Sequence, residues 1–103
     1  MEIVLSRTDV PIRLTSERWQ HIVVGHPEMS TIRGWVLETV AEPDMVQEGD
    51  FGALLAIRHY PKTPLTSKHL VVAYRVVSPV DGFVITAYLT GLPAKMRRIL
   101  WKR

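Results

Sequence analysis

The sequence predicts a single α+β domain, in which two N-terminal helices pack on a four-stranded antiparallel sheet and a short helix closes the chain. Two observations favour this fold class. The spacing of apolar residues changes at Pro43 from the helical period of 3.6 to the strand period of 2. Turn-forming residues also bound each segment that follows. A length of 103 residues allows one domain, spanning residues 1–103, with a modest core.

The first helix is predicted to start after Thr15, a residue type that caps helix N-termini well. Glu17 follows in the first turn, where the helix dipole favours an acidic side chain. Gly25 and Pro27 end the helix. Its apolar stripe consists of Trp19, Ile22 and Val23.

The second helix is predicted to run from Ser30 or Thr31 to about Glu42, with Pro43 as its terminator. Its apolar stripe consists of Ile32, Trp35, Val36, Thr39 and Val40. Residues 94–103 can form a short closing helix, because Met96, Ile99 and Leu100 recur at helical spacing.

Four strands are predicted between these helices, at residues 44–48, 53–60, 69–77 and 83–90. Residues 1–14 alternate only weakly and indicate a short edge strand or an extended arm. The register of the last two strands depends on their connection. A five-residue loop pairs Tyr74 with Thr86, a four-residue loop pairs Arg75 with Thr86, and the sequence is compatible with both.

The charge divides unequally along the chain. Residues 1–50 contain four Lys or Arg against nine Asp or Glu, a net −5, whereas residues 51–103 contain nine against one, a net +8. A strongly basic half is typical of proteins that bind polyanions. Alternatively, the two halves fold against each other, and their opposite charges neutralise each other within one small domain.

Composition excludes several classes of protein. The absence of cysteine removes disulfide frameworks, thiolate zinc sites and cysteine nucleophiles. No apolar run is long enough to cross a bilayer, and the N-terminus lacks the features of a signal peptide, so we expect a cytoplasmic protein without membrane contact. No phosphate-binding glycine loop or carboxylate cluster is visible, so neither a metal nor another cofactor is expected.

His21 and His26 are the histidines best placed for chemistry. His21 follows Glu17 by four residues, so a carboxylate could orient its imidazole, although the pair also fits an ordinary solvated helix surface. His26 stands between Gly25 and Pro27 at the helix C-terminus, where the dipole favours an imidazolium. A capping role for His26 is the alternative.

Polar residues interrupt the apolar strands at Arg58, Arg75, Thr86 and Tyr88. If these side chains share one face, they form a cationic floor whose guanidinium groups match phosphate oxygens. Otherwise, arginines on the exposed side of the sheet simply keep it in solution.

Four short segments together resemble a known group of proteins: LTSERWQHI at residues 14–22, HPE at 26–28, YR at 74–75 and GFVITAY at 82–88. The chain resembles small bacterial and phage-associated domains placed among the nucleases related to barnase, EndoU, colicin and RelE. The resemblance covers Arg13 to about Trp101. It implies the same order of two helices followed by a four-stranded antiparallel sheet.

The resemblance also implies a toxin-type, metal-independent ribonuclease that cleaves RNA through attack of the ribose 2′-hydroxyl, with an acidic antitoxin protein as a possible partner. Such a reaction needs a base, an acid and cations around the phosphorus. By resemblance, His21 and His26 would be the acid/base pair, Arg58, Lys68 and Arg75 a phosphate clamp, and Thr86 or Tyr88 a hydrogen-bond donor. Further RNA contacts are expected from Lys62, Lys95, Arg97 and Arg98.

Two other functions fit the same scaffold. In a non-catalytic RNA-binding module, basic side chains would position the backbone and tyrosines would stack on bases. In a protein-interaction domain, the basic half would dock on an acidic partner. Fold class does not decide among these functions.

Overall fold

The computed structural model describes all 103 residues, and its sheet is larger than the sequence predicts. Seven strands form one mixed sheet around two α-helices, so the prediction of a four-stranded antiparallel sheet is wrong. The elements, in chain order, are β1 (Glu2–Leu5), β2 (Pro11–Leu14), α1 (Ser16–Gly25), a 3₁₀ turn (Pro27–Thr31), α2 (Arg33–Ala41), β3 (Met45–Glu48), a second 3₁₀ turn (Asp50–Gly52), β4 (Leu54–Tyr60), β5 (Lys68–Ser78), β6 (Asp81–Thr90) and β7 (Ile99–Lys102). Across the sheet the strands lie in the order β1-β2-β6-β5-β4-β3-β7.

The helices are not the first elements, because the N-terminal arm is a hairpin. β1 pairs antiparallel with β2, and β2 adds to β6 in parallel at Ile12 and Arg13. The parallel pairing joins segments from opposite ends of the chain and has no signature in the local sequence. Weak alternation over two four-residue strands also gives little periodic signal.

The C-terminal segment is a strand and not the predicted helix. Met45, Val46 and Gln47 of β3 pair with β7, which therefore occupies the sheet edge that β3 would otherwise leave open. Met96, on the apolar side of the predicted helix, is 97% exposed and precedes the strand. Pairing with a free edge satisfies backbone groups that a short isolated helix would have to satisfy alone.

The four segments predicted as strands correspond to β3, β4, β5 and β6, which form the antiparallel centre of the sheet. Neither predicted register is observed. Ala73 pairs with Thr86, whereas Tyr74 pairs with Val84, so Ile85 is an extra residue in a β-bulge. The turn is also tighter than expected, because Ser78 pairs with Asp81.

Both helices cover the same face of the sheet and enclose the main core. Ile22, Met29, Val36 and Val40 from the helical half pack against alternate residues of the strands. Their strand partners include Ile12, Leu14, Ala56, Leu70, Val72, Val84 and Ala87. The sheet curves around this core, since the Arg7 guanidinium in the β1–β2 turn lies 4.5 Å from the centroid of the Trp101 ring on the opposite edge strand.

Tyr60 joins α2 to the sheet. Its ring stacks on Trp35 with centroids 4.4 Å apart, and its hydroxyl donates to Glu38 Oε1 at 2.9 Å. Burial, opposed in part by a hydrogen bond to Thr39, raises the pKa of Tyr60 to about 12. The folded chain therefore holds this proton more tightly than the unfolded chain does.

We expect the stability of the domain to fall as the pH rises from about 10 to about 12. In that window the unfolded chain releases the Tyr60 proton and the folded chain keeps it. One proton corresponds at most to about 1.4 kcal/mol per pH unit. Urea unfolding of the wild type and of Tyr60→Phe at several alkaline pH values measures the effect. The difference between the two proteins should shrink across the window, and a constant difference would contradict the assignment.

Candidate functional site

The site lies on the sheet face that no helix covers, here named the open face. The small apolar cluster of Leu55, Ile57, Val71 and Ala73 forms its floor. Ile85 and Tyr88 of β6 pack against this cluster. Thr86 pairs with Ala73 and therefore projects from the same side of the sheet. Sheet alternation alone thus separates these residues from the main core.

The chain itself crosses the open face through residues 91–98, here named the strap. Between β6 and β7 the sheet contains four successive antiparallel pairings, so these two strands run in the same direction. The connection between two parallel strands must cross over a face of the sheet. Gln47 Nε2 donates to the Ala94 carbonyl at 2.8 Å, and Thr90 Oγ1 donates to the Leu92 carbonyl at 3.0 Å. These bonds hold the strap against β3 and β6.

A groove of about 320 Å³ lies between the strap and the 3₁₀ turn Asp50–Gly52. Its apolar lining includes Leu55, Ala73 and Ile85. Its polar lining includes Asp50, Arg75, Tyr88 and Arg97. An apolar floor with a few convergent polar groups is the usual composition of a ligand site.

Two guanidinium groups enter this groove from different elements. Arg75 on β5 donates from Nη2 to the Phe51 carbonyl at 2.6 Å. Arg97 on the strap donates to both carboxylate oxygens of Asp50, at 3.0 and 3.3 Å. This pairing lowers the pKa of the Asp50 carboxyl and raises the pKa of Arg97. Arg75 therefore brings to the groove a positive charge that no carboxylate balances, whereas the charge of Arg97 is balanced by Asp50.

The turn beside these arginines presents an aromatic ring to solvent. Phe51 is 93% exposed and has a φ of 53°, a left-handed conformation that bulky residues rarely adopt. The hydrogen bond from Arg75 to its carbonyl holds this conformation. Sequence reasoning assigned no role to Phe51, although an aromatic residue in a Gly-Asp-Phe-Gly turn is a signal for an exposed ring.

His26 lies beside Tyr88 of the open face. Its ring centroid lies 5.9 Å from that of Tyr88, and its Nδ1 lies 3.7 Å from Glu28 Oε1. The His26 amide donates to the Ile22 carbonyl at 2.7 Å, and its own carbonyl accepts from the Met29 amide at 3.0 Å. The backbone therefore performs the predicted capping role, which leaves the imidazole free beside Tyr88.

Arg58 does not share a face with Arg75. Leu70, its partner across the β4–β5 ladder, belongs to the main core, so Arg58 lies under α2. It forms ion pairs there with Glu38 at 3.4 Å and with Glu42 at 3.6 Å. Through these contacts Arg58 links the sheet to α2. It therefore lies away from the groove.

His21 is also separate from the groove. It is exposed on α1 and lines a shallow surface depression with Thr15, Glu17 and Arg18. No hydrogen bond, ion pair or ring contact joins it to His26 or to the open face. The predicted acid/base pair of His21 and His26 is therefore not brought together.

The remaining basic residues named from the sequence lie outside the groove. Lys95 and Arg98 are exposed on the strap, and Lys62 is exposed in the β4–β5 connection. Lys68 pairs with Tyr60 in the ladder and is half-buried near Gly91. The other two histidines, His59 and His69, form a pair with ring centroids 4.9 Å apart at the end of the same two strands.

No group of three or more His, Asp or Glu side chains is arranged to hold a metal ion. No helix of the chain is long and apolar enough to cross a bilayer. Comparisons with protein-family models, curated proteins and solved structures give no match. Arguments about function therefore depend on the geometry of the open face.

Proposed function

We propose that this chain is a metal-independent ribonuclease that binds RNA on the open face and cleaves it through the ribose 2′-hydroxyl. The observation that carries the proposal is the convergence of Arg75, Arg97 and Tyr88 on one groove, with the His26 ring 5.9 Å from that of Tyr88. Two phosphate-binding cations, a phenol and an imidazole are the groups that such a reaction requires. They come from β5, the strap, β6 and the end of α1.

Arg75 and Arg97 are suited to hold the scissile phosphate. A guanidinium group offers paired donors that match two phosphate oxygens. Arg97 already donates to two oxygens of one carboxylate, which has the same planar arrangement of acceptors. Charge that develops on the phosphorus oxygens in the transition state would be stabilised by both arginines.

The proton transfers are assigned to His26 and Tyr88. His26 accepts the proton of the 2′-hydroxyl while that oxygen attacks phosphorus. The bond from phosphorus to the 5′-oxygen then breaks, and the Tyr88 hydroxyl donates a proton to the leaving oxygen. The products are a 2′,3′-cyclic phosphate and a 5′-hydroxyl. Glu28 Oε1, 3.7 Å from Nδ1, places a negative charge beside the ring that takes up this proton.

The test is incubation of purified protein with single-stranded RNA in EDTA, followed by analysis of the product ends. We expect cleavage that persists without divalent cations and leaves cyclic phosphate termini. Wild-type protein that binds RNA without cutting it would contradict the ribonuclease proposal. Loss of cutting on chelation would contradict its metal independence.

Non-catalytic RNA binding is the second candidate, and one observation favours it. The exposed Phe51 ring beside Arg75 offers a stacking surface next to a cation, as in proteins that bind single strands without cutting them. Phe51→Ala should then weaken RNA binding strongly. The ribonuclease proposal expects the same loss of RNA binding for Phe51→Ala. It also expects that His26 variants lower only the rate of RNA cleavage.

An acidic antitoxin protein is a further proposal that uses the same surface. Its carboxylates would pair with Arg75 and Arg97 and exclude RNA from the groove, as the Asp50 carboxylate already occupies Arg97. Competition between RNA and such a partner is the expected signature.

Asp50→Asn is expected to strengthen RNA binding, because it releases Arg97 from its carboxylate partner. If Arg97 then binds one more phosphate of a single-stranded RNA, the log–log dependence of affinity on salt should steepen by about 0.7. Titrations at several salt concentrations measure this slope. Glu48→Gln is the matched control, since it removes one nearby negative charge without freeing an arginine. Equal slopes for the two variants would contradict a specific Asp50–Arg97 competition.

A further inference from the structure

A second, smaller hollow lies beneath the strap and adjoins the groove. Its volume is about 190 Å³, and its floor is formed by Leu55, Ile57 and Val71. Leu92 and Pro93 of the strap form the roof. At roughly 30 Å³ per water molecule, this space exceeds a hydration site, yet it is smaller than the roughly 300 Å³ or more of a typical drug-sized pocket. It suits one small ring system.

Gln47 lines this hollow and carries an unused hydrogen-bond acceptor. The residue lines the hollow and is only 3% exposed. Its Nε2 donates to the Ala94 carbonyl, but its Oε1 is buried without a hydrogen-bond partner. The amide cannot be reversed, because a flip would oppose two carbonyl oxygens. A buried acceptor without a partner costs free energy, and a ligand that donates to Oε1 would recover that free energy.

Two polar residues connect the hollow to the groove. Tyr88 and Arg97 line both spaces. A ring in the hollow therefore lies next to the guanidinium and the phenol that are proposed to act on the phosphate. Thr90, which also lines the hollow, donates its hydroxyl proton to Leu92 and so presents only lone pairs to a ligand. Among the residues that line the hollow, Gln47 Oε1 and Thr90 Oγ1 are therefore acceptors, whereas Arg97 supplies only donors.

We infer that the hollow binds one nucleobase bearing an exocyclic amino group, which donates to Gln47 Oε1. This inference depends on the proposed function, since it names the base next to the phosphate that would be cut. An amino group at the ring periphery reaches the acceptor without bringing a ring carbonyl beside it. In uracil, the N3–H lies between two carbonyl oxygens that would repel Oε1. Cytosine, adenine and guanine, which carry such an amino group, are therefore favoured over uracil and hypoxanthine, which lack it.

Binding of nucleoside 3′-monophosphates to the full chain tests the inference. The cytidine and uridine compounds form a matched pair that differs in an amino group against a carbonyl, and the adenosine and inosine compounds form another. We expect wild-type protein to bind the amino-bearing member of at least one pair about tenfold more tightly, the worth of one hydrogen bond. The Gln47 side-chain amide resonance should shift on binding.

Gln47→Met replaces the carboxamide by an apolar group of similar size and should abolish the preference within each pair. The wild-type preference decides the inference even if this variant fails to fold. Equal wild-type affinity within both pairs, or a preference that survives Gln47→Met, would overturn it. Failure to bind any nucleotide, together with RNA cleavage in EDTA, overturns the base pocket alone. Selective nucleotide binding without RNA cleavage overturns the ribonuclease proposal and leaves the base pocket standing.

Discussion

His26→Ala is expected to lower the RNA cleavage rate by about 10²- to 10⁴-fold while RNA affinity changes little. Of the four histidine rings, that of His26 is the one in contact with Tyr88, which lines the groove. Without it, the 2′-hydroxyl has no positioned base. Single-turnover cleavage kinetics at saturating protein separate the chemical step from binding.

The variant should still fold, since the structural role of His26 belongs to its backbone. Its amide and carbonyl bond to Ile22 and Met29, and its side chain forms no hydrogen bond. His21→Ala is the matched control, because His21 is exposed on the same helix without contact to the groove. Comparable losses for His21→Ala and His26→Ala would contradict the assignment, as would a His26→Ala protein of wild-type rate.

Arg75→Ala is expected to lower the cleavage rate by about 10²- to 10³-fold, comparable to the loss of one donor to a developing oxyanion. Arg75 projects into the groove from β5 and also holds the Phe51 carbonyl. RNA affinity should fall as well, because one phosphate contact and the fixed position of the Phe51 ring are removed together. Arg75→Lys should recover affinity more than rate, since an ammonium group keeps the charge but not the paired donors.

Arg58→Ala is the control for this experiment and should show the opposite pattern. Its ion pairs to Glu38 and Glu42 lie on the helix-covered face, so their loss should cost about 1 kcal/mol of stability. Cleavage by the folded fraction should remain near the wild-type rate. Thermal unfolding and cleavage are measured on the same samples. If Arg58→Ala abolishes cleavage although the protein remains fully stable, the assignment of a role in cleavage to Arg75 and of a structural role to Arg58 is wrong.

The sequence by itself determined the local elements whose signals are strong. Thr15 caps α1, with its hydroxyl accepting from the Arg18 amide at 3.1 Å, and the helix ends at Gly25 as predicted. The change of period after Pro43 predicted β3 to β6 and their antiparallel order. Capping, helix termination and strand alternation depend on neighbours within a few residues. They can therefore be inferred from spacing alone.

Tertiary structure decided which of the candidate residues meet. The β-bulge at Ile85 determines the register between β5 and β6, for which the turn residues allowed two alternatives. Alternation along β4 and β5 places Arg58 and Arg75 on opposite faces of the sheet. The strap brings Arg97 and Ala94 over β3 only because β7 pairs with a strand far earlier in the chain. Such contacts depend on backbone hydrogen bonds between distant segments, which carry no local periodicity. The sequence therefore supplied the chemical groups around the groove, whereas the packing of α1 against β6 placed His26 rather than His21 beside Tyr88, and the faces of the strands placed Arg75 rather than Arg58 in the groove.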